Sequence, residues 1–163
     1  GSIVAAALAD RYPELIHHKL ILLSPISVRP SRFFARLTTL PAYLPAGLTD
    51  FITTSYLHRS DSGADFRHIL DLTHTCSHTQ PPQRSDLTAA ARFSAQHSVA
   101  EFQLSQDVLL IAGDHDRLIP RAATEKLAQE LRAKLQLLPH TGHLHNYEFP
   151  HLTANAICAF LER

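Results

Sequence analysis

Two carboxylates and a cluster of imidazoles carry most of the chemistry written into this chain. In DVLLIAGDHDRLIP, residues 107–120, an apolar run stops at Gly113, and Asp114 and Asp116 then flank His115. In PHTGHLHNYEFP, residues 139–150, His140, His143 and His145 follow one another closely. A carboxylate bonded to one ring nitrogen of an imidazole fixes its tautomer and leaves the other nitrogen free to take a proton. An acid and a base so coupled are the supporting members of a nucleophile–His–acid triad. Each aspartate has two plainer readings as well: a cap for a helix opening near Pro120, or a solvated loop carboxylate.

The elements on either side decide whether these groups can meet. KLILLSP, residues 19–25, VLLIAG, residues 108–113, and LQLLP, residues 135–139, are short continuous apolar runs of the kind found in parallel strands covered on both faces. Ahead of them, the alanine-rich stretch 2–12 reads as a helix buried on most sides and stopped by Pro13. Residues 121–134 read as an amphipathic helix with Ala123, Leu127 and Leu131 on one stripe, and Pro150 starts a closing helix with Leu152, Ile157 and Phe160 facing inward. Residues 141–148 read as a loop. Alternating strands and helices predict an α/β fold, a parallel sheet flanked by helices. Ligands bind such sheets outside the carboxyl ends of the strands, where adjacent strands lie about 4.8 Å apart. Asp114 and Asp116 follow one strand and the three histidines follow the next, so acid and imidazole are expected to come within reach.

The pattern is interrupted between residues 26 and 106. Prolines at 30, 41, 45, 81 and 82 punctuate short apolar and aromatic clusters, and Ser85 or Asp86 is placed to cap a helix over 87–97. This segment reads as a mostly helical cap inserted above the core. The expected division is therefore core helix and strand over 1–25, cap and return helix over 26–106, and core elements bearing the acid and base over 107–163. Phe33, Phe34, Tyr43, Phe51, Tyr56 and Phe66 would suit an apolar substrate, or simply pack the insertion.

Bulk properties exclude several functions. The 163 residues are 45% hydrophobic, enough for one substantial core, and Lys plus Arg equals Asp plus Glu at 15 each. A balanced charge argues against nucleic acid as a partner. No apolar run approaches the length of a bilayer span. Cys76 and Cys158 form no disulfide framework, which suits a reduced, cytoplasmic chain. His74, Cys76 and His78 lack an obvious fourth ligand, as do His143 and His145, so no metal is expected. Ser24 lies between Leu23 and Pro25, and Ser2 has no strand before it, so neither suits a strained nucleophile turn. Glu148 is expected to favour the amino end of the closing helix.

GDHDRLIP followed by HTGHLHNYEFP resembles the carboxyl-terminal signature of α/β-hydrolase fold enzymes. There the acid follows a G-x-x-D-x-x-x-P turn, and the base sits in a Gly-His loop before a final helix. Carried over residue by residue, the resemblance makes Gly113 the turn, Asp116 the acid and His143, after Gly142, the base. GSIVAAALADRYPELI resembles the helix behind the nucleophile elbow G-x-S-x-G, with Gly1 as its last glycine and Ser2 in place of the second small residue. The family order is nucleophile, acid, base. The nucleophile is then expected two positions before Gly1, so the chain resembles the second half of the fold, incomplete and inactive alone. The absence of methionine agrees with that reading.

The resemblance implies a serine esterase acting without a cofactor on a small apolar ester, with the missing amino-terminal half as its partner. An aspartate at the elbow would instead imply a dehalogenase or epoxide hydrolase. Two other classes remain: an inactive binding or interaction module of the same fold, and a metal-binding protein using its histidines.

Overall fold

The computed structural model describes residues 1–26, 89, 92–93 and 96–162. Most of the expected cap, including its aromatic residues and His74, Cys76 and His78, lies outside the described residues.

Three parallel strands form the centre: β1 (Lys19–Leu23), β2 (Asp107–Gly113) and β3 (Lys134–Leu138), in the order β1-β2-β3. Leu22 pairs with Leu110, and Gly113 with Leu138. The alternation of a strand explains why β2 is apolar throughout. Val108 and Leu110 face one cluster with Leu20, Leu22 and Leu127, while Leu109 and Ile111 face another with Leu138 and Phe160. Leu110 and Ile111 are fully buried, worth about 1.5–3 kcal/mol each.

Helices cover both faces. On the first lie α1 (Ser2–Arg11) and α2 (Arg121–Glu130), and on the second α4 (Pro150–Leu161). Lys19 Nζ donates to the Phe160 and Leu161 carbonyls, placing a cation on the closing turn of α4. This is the parallel, helix-flanked sheet that the apolar periodicity implies.

Several details differ from the sequence-based expectations. Helix α1 buries only Ile3, Ala6 and Ala9, and leaves Val4, Leu8 and neighbouring Tyr12 exposed, because a helix lying on a sheet presents one stripe to it. Helix α2 ends at Glu130, and Arg132 takes a positive φ of 53° so that the chain can turn into β3. On α4, Phe160 is buried and Ile157 half-buried, but Leu152 is exposed. Thr153 takes the buried place in that first turn because its hydroxyl has partners below it. Finally, the segment read as a loop contains one helical turn, α3 (His145–Glu148).

Candidate active site

The acid turn is built from local interactions. Gly113 ends β2 against the base loop so closely that a Cβ would collide with the Thr141 and Gly142 carbonyl oxygens. Only glycine fits there. The chain then turns, with Asp116 N donating to Gly113 O at 3.4 Å. Asp116 Oδ1 accepts from Leu118 N at 2.8 Å and Ile119 N at 2.9 Å, closing the turn before Pro120 admits α2. Asp116 therefore closes the turn and does not cap α2, which has no side-chain cap, and it uses one oxygen to do so. The other, Oδ2, lies 2.8 Å from His143 Nδ1.

That bond sits in a sheltered place. The Asp116 side chain is 1% exposed and that of His143 18%. Nδ1 faces the carboxylate and is the donor, so Nε2 is the nitrogen with a free lone pair, and no described residue hydrogen-bonds it. His143 lines a cavity of about 180 Å³ with Ser2, Ile3, Leu23, Ser24 and Ile26. Gly1, the N-cap of α1, lies in the same wall, so the positive end of the helix borders the cavity.

The remaining polar groups sort themselves by exposure. Asp114 Oδ1 lies 2.6 Å from His115 Nδ1, and the half-exposed His115 ring stacks on His140. Burial pushes the Asp114 carboxyl up, but the His115 hydrogen bond and charge, with backbone N–H groups of Thr141 and His140, bring it below its ordinary range. Neither member of this pair is bonded to His143, whose carboxylate partner is Asp116. His145 is completely buried, its Nδ1 3.0 Å from Thr153 Oγ1. Burial, and then the His143 charge, push its pKa down to about 4, so it is neutral at physiological pH. Two histidines two positions apart thus face different environments. Among the described residues no group of three His, Cys, Asp or Glu side chains is placed to hold a metal. No described helix is long and apolar enough to cross a membrane.

The sequence matches the alpha/beta hydrolase family over residues 1–156. The chain belongs to that family. It is 31% identical over 160 residues to a pimeloyl-acyl-carrier-protein methyl ester esterase of Nitrosomonas europaea, covering 92% of this chain and 64% of the relative. Its fold is similar to the enol-lactonase of Burkholderia xenovorans, with a TM-score of 0.78 at 16% identity over 99% of this chain and 62% of the other. A thermophilic esterase of Thermogutta terrifontis gives a TM-score of 0.73 at 20% identity, over 99% and 61%. The chain therefore spans about three-fifths of the length of these relatives.

Within this hydrolase fold, three site residues had no clear signal in the sequence. Ser24 takes a positive φ of 42°, its backbone N–H donates to Ile111 O, and its hydroxyl donates to the His143 carbonyl at 3.0 Å. Thr153 holds His145 from α4. Glu148, expected at the amino end of α4, also has a partner in the base loop. It is buried, and its Oε2 accepts from Gly142 N at 2.7 Å. A carboxylate amid Tyr147 and Phe149 was the one hint that it would be enclosed.

Proposed function

We propose that these residues form the acid-and-base portion of a carboxylic ester hydrolase, with Asp116 as the acid and His143 as the base. The observation that carries this reading is the buried Asp116–His143 bond, made through Nδ1 with Nε2 left unbonded at a cavity. A hydroxyl nucleophile would give its proton to Nε2 as its oxygen attacks the ester carbonyl carbon. The tetrahedral intermediate would collapse with the leaving alcohol taking that proton, forming an acyl-enzyme. Water would then repeat the cycle through the same nitrogen. Asp116 would stabilise each transient imidazolium without becoming protonated. The first N–H groups of α1 border the cavity and would favour the developing oxyanion.

The nucleophile in this reading is the residue two positions ahead of Gly1. The placement of Gly1 and Ser2 in the cavity wall supports it, because chain entering α1 passes beside His143. Ser2 and Ser24 share that wall, but their hydroxyls donate to the Leu23 and His143 carbonyls. The 163 residues alone are accordingly proposed to be inactive until joined by an amino-terminal portion of the fold. Residues 26–106 would supply the cap and the return helix, with Val99 in the core. The Nitrosomonas europaea relative is named for a methyl ester, which makes methyl and short p-nitrophenyl esters the substrates to try first.

The test is turnover of p-nitrophenyl butyrate and a methyl ester by the full-length protein, by Asp116→Asn and by His143→Ala. Loss of activity in both variants with the fold retained is the expected result. Wild-type-like turnover by both would overturn the assignment, and turnover of a haloalkane or epoxide instead would point to an aspartate nucleophile.

A further inference from the structure

Helix α3 is a single turn, too short to hold itself together in water. Yet it follows the base directly, so the placement of His143 depends on whatever anchors this segment. Two bonds grip the backbone around that residue. Glu148 Oε2, at the end of α3, reaches back to accept from Gly142 N just before His143, and closes residues 142–148 into a ring. Ser24 Oγ, from the end of β1, donates to the carbonyl of His143 itself.

Glu148 is the unusual member of this arrangement. Its residue is 4% exposed, and a carboxylate held out of water is costly unless strong bonds compensate it. A charge-assisted bond to a backbone N–H is roughly twice as strong as a neutral one. The Gly142 N–H supplies Glu148 with one such bond, at 2.7 Å.

We propose that Glu148 is a positioning residue for the base, clamping Gly142 so that the His143 ring stays aligned between Asp116 and the cavity. The inference rests on the reading of His143 as the base. It touches neither substrate nor nucleophile. The charge strengthens the bond, but the alignment of His143 depends first on an acceptor oxygen that reaches Gly142.

Two substitutions separate reach from charge. Glu148→Gln keeps the length and a carbonyl acceptor while removing the charge. Glu148→Asp keeps the charge but is one methylene too short. In the full-length protein, Glu148→Asp should lower kcat about 10- to 100-fold with KM within about twofold, because small misplacements of a catalytic group cost that much. Glu148→Gln should stay within about threefold of wild type. The reverse order would overturn the clamp in favour of a charge effect, and equal kcat values in the two variants would also overturn it. A wild-type protein without ester turnover would sink the hydrolase reading, not the clamp. The clamp is then read by NMR, from exchange protection of the Gly142 amide and from the His143 Nδ1–H resonance. Both signals should survive in Glu148→Gln and weaken in Glu148→Asp, and identical behaviour of the two variants would overturn the proposal.

Discussion

The acid turn after β2 and the base loop after β3 are neighbours built on opposite plans. The turn closes on itself: Asp116 bonds Leu118 N and Ile119 N, and Pro120 opens the next helix. The loop is held partly from within, by Glu148 at its far end, and partly from elsewhere, by Ser24 at the end of β1 and by the close approach of Gly113 from β2. The difference teaches how such a pair can be precise. One partner is a local structure, and the other combines its own internal bond with a contact from a distant strand end.

The largest loss is expected from removing the Asp116–His143 link itself. Asp116→Asn keeps an oxygen for the turn but puts an amide against Nδ1, so the wrong tautomer is favoured. If the full-length protein turns over esters as proposed, its kcat should fall about 10³–10⁴-fold with little change in melting temperature. Asp116→Ala should lose the same activity and destabilise the fold as well, because the turn loses its acceptor. Equal stabilities for the two variants would show that the turn does not depend on Asp116.

Gly113→Ala attacks the surface where the two loops meet. Its methyl would run into two backbone carbonyls, which cannot rotate aside, so a loss of about 3 kcal/mol is expected in chemical denaturation. A change below about 1 kcal/mol would mean that the base loop gives way easily.

The inner side of the base loop has its own signature. His145 has a native pKa of about 4 against an ordinary 6.5, so the unfolded chain binds the proton first. The stability it contributes is complete above pH 6.5 and is lost as pH falls toward 4, by about 2 kcal/mol at pH 5. His145→Gln should bond Thr153 without titrating, and its stability should fall less than wild type between pH 7 and 5. Parallel pH profiles would remove His145 as the cause.

The smallest effect is expected at Ser24. Ser24→Ala removes one neutral bond to the base loop, costing about 1 kcal/mol and a few-fold in kcat. A loss as large as that of His143→Ala would instead give the Ser24 hydroxyl a direct part in the reaction.

Much of the fold was legible because its signals are local. The uninterrupted apolar run of β2 follows from the strand repeat, and on α2 the expected stripe holds at Leu127, while Thr124 and Ala128 take the buried places beside it and Ala123 stays half-buried. The errors lie where neighbours outside the segment choose. Residues 145–148 become a helical turn that the polar stretch around Gly142 concealed, and Thr153 displaces Leu152 from the interior because His145 lies beneath it.

The same division holds at the site. By itself the sequence determined the acid turn, since Gly113, Asp116 and Pro120 interact within a few residues and their spacing is the structure. It also marked His143, through its resemblance to a known loop. Only the tertiary structure decided that His143 meets the carboxylate while His145 is buried and neutral, and that Glu148 and Ser24 hold the loop between them. Those outcomes depend on burial and on partners up to 119 residues away. No local pattern records such distances, because they exist only after the sheet has brought its strand ends together.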